Sequence, residues 1–195
     1  MKIRKAIIFA AGMGTRFFPI TKTIQKEMLP ILDRPIIDYI VDDCIEAGIE
    51  EVILVVNDKN DQIKSFYSED QYIYRYLERM KKLDKYSKIS KLHSKVIFKF
   101  VRQKETDSYG TAVPLILARE YLQDEEAFLA LTGDDFFLNE SGKSEVKLVI
   151  ENFEKNNADG LITCIQVPME RVSQYGIAEF REENGVKLLT NQIEK

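Results

Sequence analysis

Short apolar runs alternate with amphipathic stretches along the chain. The clearest runs lie at residues 6–11, 52–56, 96–101 and 127–131, and they carry few charged side chains. A nearly continuous apolar run of this length is typical of a strand that is buried on both faces of a parallel sheet. These runs therefore predict the strands of a mostly parallel sheet.

The stretches between the runs repeat their apolar residues with the period of an α-helix. In residues 36–47 one face carries Ile37, Ile40 and Val41, the opposite face is acidic, and Gly48 follows as a stop signal. Helices are also predicted at residues 59–67, 111–122 and 144–156. Strands that alternate with helices predict an α/β fold, here a Rossmann-like three-layer α/β/α sandwich.

Three further segments complete the predicted fold. Residues 69–94 are rich in charge and tyrosine and predict a helical insertion, whose basic side chains form a solvated face. Residues 160–167 predict a fifth strand, and residues 175–181 and 186–190 predict a short β-hairpin near the C-terminus. We expect the whole chain to form a single domain that carries this insertion.

The composition is that of an ordinary globular chain. Its 195 residues are 45% hydrophobic and 31% charged, which suffices for one well-buried core. The net charge of −4 argues against nucleic acid or an anionic membrane as the main partner. No apolar stretch approaches the roughly 20 residues of a membrane span, and the first residues run directly into a strand, so we expect no signal peptide.

The cysteines and the histidine offer little chemistry. Cys44 and Cys164 lie far apart inside apolar patterns, so we expect two buried free thiols and a cytoplasmic protein rather than a disulfide or a metal site. The single histidine, His93, falls in the helical insertion, where we expect it to be structural. No Ser-His-Asp or Cys-His arrangement is therefore predicted.

The first apolar run opens into a glycine loop that is followed by cationic residues. Gly12 and Gly14 can adopt positive φ and leave no Cβ in the way of a ligand. The backbone amides of such a loop can point at an anion, and the guanidinium of Arg16 matches phosphate oxygens. Polar loops also follow the strands at residues 96–101 and 127–131. Because ligands of parallel sheets bind beyond the carboxyl ends of the strands, we expect these loops to converge on one site.

Two common phosphate-binding loops do not match. The Walker A pattern requires Lys-Ser or Lys-Thr after its second glycine, whereas Thr15 and Arg16 follow Gly14. The dinucleotide fingerprint requires a third glycine or alanine at the position of Phe17, and its absence disfavours an NAD-binding module.

A longer motif surrounds the glycine loop. It consists of AAGMGTRF at residues 10–17, Pro19, Thr21-Lys22 and KEMLP at residues 26–30. This motif resembles the nucleotidyltransferases that make nucleotide sugars, and among them the bacterial UTP–glucose-1-phosphate uridylyltransferases (UDP-glucose pyrophosphorylases). The resemblance implies the fold of the nucleotide-diphospho-sugar transferases. It also implies transfer of a uridylyl group from UTP to α-D-glucose 1-phosphate, which yields UDP-glucose and pyrophosphate.

The implied reaction needs no catalytic base, because the attacking sugar phosphate is already an anion. The protein has to align two polyanions and offset the charge that develops in the transition state, which requires cations and a carboxylate that holds Mg²⁺. The residues that the resemblance marks as catalytic are Arg16, Lys26, Asp134 and Lys195. Asp134 is the implied Mg²⁺ ligand.

The resemblance also marks residues that would hold the two substrates. The implied nucleotide-binding residues are Ala10, Ala11, Gly12, Gly14, Thr15, Arg16, Lys26, Glu27, Gln103 and Gly110. Arg16 would bind the β- and γ-phosphates, Lys26 would lie near the α-phosphate, and the amide of Gln103 would read the uracil edge. The implied sugar-phosphate-binding residues are Asp135, Tyr175, Gly176, Glu194 and Lys195.

The chain also departs from the family pattern. Ser108-Tyr109-Gly110-Thr111-Ala112 stands where Gly-Leu-Gly-His-Ala is expected, which leaves the nucleobase preference open. Family members are longer and would carry a second metal ligand and helices that associate subunits into a homo-oligomer, so we expect a truncated chain or a natural fragment. The alternatives are a sugar-1-phosphate nucleotidyltransferase that uses dTTP, CTP or GTP, and a catalytically silent nucleotide-binding fragment.

Overall fold

A computed structural model of the chain describes residues 2–108, 110–137, 142–156 and 158–193. The chain divides into two compact units, Met1–Asn156 and Asn157–Lys195, and each is described by itself. No helix among the described residues is long and apolar enough to cross a membrane.

The first unit alternates strands and helices, as the hydrophobic pattern predicts. Its strands are β1 (Lys5–Ala10), β2 (Pro30–Ile31), β3 (Arg34–Pro35), β4 (Glu51–Asn57), β5 (Ile97–Gln103) and β6 (Leu129–Thr132). Its helices are α1 (Ile36–Glu46), α2 (Gln62–Tyr67), α3 (Gln71–Arg79), α4 (Ser87–His93), α5 (Val113–Leu117), α6 (Arg119–Leu122) and α7 (Glu145–Asn156). Single 3₁₀ turns lie at Thr15–Phe17, Ile20–Lys22, Lys26–Met28 and Leu83–Tyr86.

The long strands form a four-stranded sheet in the spatial order β5-β4-β1-β6. All neighbouring pairs are parallel, with Asn57 opposite Gln103 and Phe9 opposite Thr132 at their carboxyl ends. The short strands β2 and β3 pair separately as an antiparallel turn that leads into α1. The predicted parallel sheet is confirmed, and the carboxyl ends of its strands meet at one edge.

Alternating side chains of the central strands fill two cores, one on each face of the sheet. On one face Ile8 of β1 and Leu54 of β4 pack against α1, α2 and α7. On the other face Ile7 and Ile53 pack against α5 and α6. These four side chains have no exposed surface, and the burial of each stabilises the fold by about 2 kcal/mol. The predicted three-layer α/β/α arrangement is confirmed.

The helices differ from the prediction in one place. The helix predicted at residues 36–47 is α1, and Gly48 follows it with φ of 89°. The helix predicted at residues 111–122 is instead two short helices, because the buried Ala118 between them leaves the helical region with φ −90° and ψ 4°. Both halves pack on the same core. The stretch at residues 69–94 is helical as predicted, and its basic side chains are exposed.

The second unit contains a 3₁₀ turn at Met169–Gln174 and an antiparallel hairpin of β7 (Ile177–Glu183) and β8 (Val186–Ile193). The predicted hairpin is confirmed, with positive φ at Asn184 and Gly185 in its turn.

The fifth strand predicted at residues 160–167 is wrong. A strand needs a hydrogen-bonded neighbour, and the strand pairing within the described part of this unit is between β7 and β8. The apolar pattern alone does not supply that neighbour. The predicted burial of Cys164 is therefore also wrong, since its side chain is exposed, whereas Cys44 is a buried free thiol as predicted.

A charged cluster joins α1 to the start of β5. The buried carboxylate of Asp38 accepts hydrogen bonds from Lys95 Nζ at 2.8 Å, Arg34 Nη1 at 3.2 Å and the Tyr67 hydroxyl at 3.1 Å. Asp42 accepts from Lys95 Nζ at 2.9 Å and from Arg34. Burial by itself would raise the pKa of Asp42, but these two cationic donors outweigh it and lower that pKa.

This cluster predicts a contribution to stability that depends on pH. Because the pKa of Asp42 is lower in the folded chain than in the unfolded chain, the unfolded chain binds the proton first as pH falls. The stabilisation is complete above the unfolded pKa, about 3.9, and is lost as pH falls through the folded pKa. We expect Asp42→Asn to lower the free energy of unfolding at pH 7 and to flatten its decline below pH 4, as measured by urea unfolding.

The exposed Asp33 provides the control. Asp33→Asn should leave both the stability at pH 7 and the acid decline close to those of the wild type. An acid decline of Asp42→Asn as steep as that of the wild type would contradict the account.

Candidate active site

The glycine loop leaves β1 at the carboxyl edge of the sheet and is fixed by the segment that follows it. Thr21 Oγ1 donates a hydrogen bond to the carbonyl oxygen of Gly14 at 2.7 Å, and Asn57 Nδ2 donates to the carbonyl oxygen of Ala11 at 3.3 Å. Gly14 has φ of 62°, and a Cβ there would lie 3.1 Å from Thr21 Cγ2 and 3.2 Å from Lys26 Cβ. The left-handed backbone therefore favours glycine at this position, and a Cβ would in addition crowd Thr21 and Lys26.

The outer side of the loop is open to solvent. Gly12, Thr15 and Arg16 are exposed, and Arg16 lies in the 3₁₀ turn that directly follows Gly14. Among the described residues, no carboxylate forms an ion pair with Arg16. A guanidinium without an acidic partner, next to a glycine loop, is suited to binding phosphate oxygens.

Lys26 connects the glycine loop with the acid that follows β6. Its ammonium Nζ lies 2.8 Å from Asp134 Oδ2 and 3.8 Å from Glu27 Oε1. A Cβ at Gly12 would lie 3.5 Å from the same Nζ, so the lysine side chain runs directly along the loop. The side chain of Lys26 is 19% exposed and that of Asp134 is 34% exposed, so this ion pair is only partly shielded from water.

Glu27 is fully buried beneath this ion pair. Neither of its carboxylate oxygens has a hydrogen-bond partner among the described residues. Burial raises the pKa of Glu27 to about 7, against the opposing influence of its own backbone amide and of the Lys26 ammonium. The family resemblance implies that Glu27 helps to place the nucleotide. A side chain without exposed surface can do so only through the residues that it touches.

Gly133 is a functional position that the sequence analysis missed. A Cβ there would lie 2.9 Å from Glu27 Cγ and 3.0 Å from the carbonyl oxygen of Phe9. Its N–H donates a hydrogen bond to that oxygen at 2.8 Å. A side chain at residue 133 would thus push the Asp134 turn away from β1. The signal in the sequence was the glycine immediately before the acid pair Asp134-Asp135.

Three expected nucleotide-binding residues and Asp135, which is expected to bind the sugar phosphate, lie at the same edge or close to it. Ala10 is the last residue of β1, and Gln103 is the last residue of β5, where its carbonyl oxygen accepts from the N–H of Asp58 at 3.1 Å. Asp135 follows Asp134 and accepts from Thr132 Oγ1 at 3.3 Å. Gly110 is exposed with φ of 138°, in the loop between β5 and α5.

The remaining expected site residues lie in the second unit or outside the described residues. Tyr175 and Gly176 belong to the second unit, so their place in a common site stays a prediction. Glu194, Lys195 and Tyr109 lie outside the described residues.

Asp134 is suited to hold a divalent cation. It is partly exposed at the end of β6 and lies beside the glycine loop. Within residues 2–108, 110–137, 142–156 and 158–193, no group of three or more His, Cys, Asp or Glu side chains is placed to hold a metal ion. Asp134 would supply one carboxylate to such a cation, and substrate phosphate oxygens and water could supply further ligands. Mg²⁺ is commonly bound in this way, through one or two carboxylates and substrate phosphates.

A separate surface cavity lies at the opposite end of the sheet. It has a volume of about 660 Å³, and its lining includes His93, Tyr67 and Phe98. The lysine that faces it, Lys95, is already paired with Asp38. Because this cavity offers no comparable set of phosphate-binding groups, we assign the candidate active site to the carboxyl edge of the sheet.

Comparison with known proteins identifies the family of the chain. A family model described as nucleotidyl transferase matches residues 5–195. The UTP–glucose-1-phosphate uridylyltransferase of Bacillus subtilis is 37% identical over 195 residues, which cover 100% of this chain and 65% of that protein. A putative UTP–glucose-1-phosphate uridylyltransferase of Methanocaldococcus jannaschii is 36% identical over 194 residues, or 99% of this chain and 66% of that protein. The chain thus spans about two thirds of the length of these curated relatives.

Solved structures give the same result. A UTP-bound UGPase from Acinetobacter baumannii has a TM-score of 0.84 and 29% identity, and the match covers 100% of this chain and 68% of that one. A UDP-glucose pyrophosphorylase complexed with UDP-glucose has a TM-score of 0.78 and 30% identity, and the match covers 100% of this chain and 69% of that one. With its parallel sheet, its glycine loop and the family match over residues 5–195, the chain belongs to the nucleotidyl transferase family.

Proposed function

We propose that this chain is the nucleotide-binding part of a magnesium-dependent UTP–glucose-1-phosphate uridylyltransferase. In the proposed reaction the phosphate of α-D-glucose 1-phosphate attacks the α-phosphorus of UTP, and UDP-glucose and pyrophosphate are formed. The observation that carries the proposal is the contact between Lys26 and Asp134, which joins the glycine loop to a carboxylate able to hold a cation. The names of the relatives supply the substrates.

The residues around this contact would each bind a different part of the triphosphate. The amides of the glycine loop and the guanidinium of Arg16 would hold the β- and γ-phosphates, which leave as pyrophosphate. Lys26 would lie at the α-phosphate, where negative charge develops in the transition state. Mg²⁺ at Asp134 would offset charge on the phosphate oxygens. No general base is required, because the nucleophile is an anion.

The base and the sugar would be recognised on either side of the phosphates. Gln103 ends β5 at the same sheet edge, and its side-chain amide can both donate and accept, as the imide edge of uracil requires. Gly110 would approach the base with its backbone. Asp135, Tyr175, Gly176, Glu194 and Lys195 would contact the sugar phosphate, a role that rests on the family resemblance. Association into a homo-oligomer is proposed for the full-length protein.

The proposal is tested by pyrophosphate release from this chain with glucose 1-phosphate and Mg²⁺, across UTP, dTTP, CTP, GTP and ATP. We expect release with UTP to exceed release with the other triphosphates. Greater release with dTTP, CTP or GTP would favour the corresponding nucleotidyltransferase. Binding of UTP without release from any triphosphate would favour a catalytically silent nucleotide-binding chain.

Arg16→Ala should weaken triphosphate use and leave the fold intact, because Arg16 is exposed and its removal opens no cavity. Loss of one or two charge-assisted hydrogen bonds predicts about a 10- to 100-fold lower kcat/KM for UTP. Arg79→Ala on α3, also exposed, serves as the matched control. Wild-type kcat/KM for UTP in Arg16→Ala would exclude this role for the arginine.

Asp134→Asn should raise the Mg²⁺ concentration needed for half-maximal pyrophosphate release by about tenfold or more, because an amide is a weaker cation ligand than a carboxylate. The exposed Asp124 provides the control, and Asp124→Asn should follow the wild-type Mg²⁺ titration. An unchanged Mg²⁺ titration in Asp134→Asn would refute the assignment of this acid.

A further inference from the structure

Lys26 occupies one oxygen of the Asp134 carboxylate, the proposed cation ligand. Its Nζ donates to Asp134 Oδ2 at 2.8 Å, which is the length of a charge-assisted hydrogen bond. An ammonium and a divalent cation repel each other strongly when both lie against one carboxylate oxygen in a partly dehydrated site. A cation that binds this oxygen therefore has to displace the lysine.

Glu27 offers the displaced ammonium a second partner. Its Oε1 lies 3.8 Å from the same Nζ, and both of its oxygens lack hydrogen-bond donors among the described residues. The side chain has no exposed surface. A buried carboxylate without a donor is unfavourable, and a hydrogen bond from Lys26 would relieve part of that penalty. The structure therefore contains two acids and one ammonium that can pair with either of them.

The surroundings of Lys26 permit the change of partner. Lys26 and Glu27 are neighbours in the single 3₁₀ turn Lys26–Met28, so the ammonium and its second acceptor are held by the same piece of backbone. Gly12 and Gly14 line the lysine side chain, and neither carries a Cβ that would restrict it. The ammonium can move from Asp134 towards Glu27 by rotation of side-chain bonds, without a change in the fold.

We propose that Lys26 is a transferable counter-ion, which Asp134 holds in the absence of a divalent cation and which passes to Glu27 when a cation binds Asp134. The ammonium has three N–H donors, so it can contact Glu27 and the α-phosphate of bound UTP together. The inference rests on the cation-binding role of Asp134 in the proposed function. It assigns Glu27 the work of a positioning residue that acts through Lys26. It also explains why a carboxyl group without an exposed surface lies directly beneath the glycine loop.

The test is a titration of the full chain with Mn²⁺, without nucleotide or sugar phosphate. The electron paramagnetic resonance signal of free Mn²⁺ measures how much of the ion is bound. Lys26→Met removes the competing ammonium and should tighten Mn²⁺ binding by about fivefold or more, the size of a typical coupling between sites. Glu27→Gln removes the second partner, keeps Lys26 on Asp134 and should weaken Mn²⁺ binding by a similar factor. Lys64→Met, at an exposed lysine of α2, controls for the loss of one positive charge.

The double variant separates the proposal from a direct metal-binding role of Glu27. If Glu27 acts only through the lysine, Glu27→Gln should have no further effect in the Lys26→Met background. An equal loss of affinity in both backgrounds would mean that Glu27 itself ligates the cation, and this would overturn the proposal. Mn²⁺ affinity in Lys26→Met that is no tighter than in the wild type would overturn it as well.

A measurement on the unaltered protein complements the variants. In a chain with ¹⁵N-labelled lysine, the Nζ signal of Lys26 should shift when Mg²⁺ is added and should stay protected from exchange with water. A signal that Mg²⁺ leaves unchanged would contradict the transfer. Asp134→Asn tests whether Asp134 binds the cation, which both the proposed function and this inference assume. Wild-type Mn²⁺ affinity in that variant would contradict the metal site and the inference together. If Lys26→Met and Glu27→Gln change Mn²⁺ affinity as expected but the chain releases no pyrophosphate, only the proposed function would be contradicted.

Discussion

The ion pair between Lys26 and Asp134 is the contact on which the arrangement of the site depends. It joins residues that are 108 positions apart in the chain, and it can form only because β6 lies directly beside β1 in the sheet. The parallel register brings Phe9 opposite Thr132, so the glycine loop and the acid pair leave the sheet at the same level. The two apolar cores hold this register in place, since a shift of one strand by one residue would turn its side chains to the opposite faces of the sheet.

The site combines groups that would be unfavourable separately. A buried Glu27 without hydrogen-bond partners costs stability, and its carboxyl group has a pKa raised to about 7 by burial. The Lys26 ammonium lies close to Glu27 and offsets part of this cost. Gly133 has no side chain, so the end of β6 can pack directly against Glu27. Glycines are therefore needed on both sides of the lysine, at Gly14 for the loop and at Gly133 for the acid.

Much of this fold follows from local pattern. The four long strands were predictable because near-continuous apolar runs are typical of buried parallel strands. Helix α1 was predictable because its apolar residues recur with the helical period. The glycine loop and Arg16 stand out because their residue types suit phosphate binding, and Lys26 and Asp134 stand out through the family resemblance. Their roles in binding remain predictions. The meeting of the strand ends at one edge then followed from the parallel sheet.

What the pattern could not predict depends on contacts between distant residues. Residues 160–167 have the composition of a strand, but strand formation requires a neighbour that the composition does not specify. The exposure of Cys164 follows from the same missing neighbour. The complete burial of Glu27 and the need for Gly133 arise where the turn after Gln25 meets the end of β6, and the glycine before the acid pair does not by itself reveal that meeting.

The most direct test of the account is a crystal structure of this chain with UTP and Mg²⁺. The account predicts the triphosphate along residues 10–16, the guanidinium of Arg16 on the terminal phosphates, and a cation on Asp134 with Lys26 no longer bound to that carboxylate. A triphosphate bound away from the glycine loop, or a bound triphosphate and cation with the Lys26–Asp134 ion pair still intact, would contradict it.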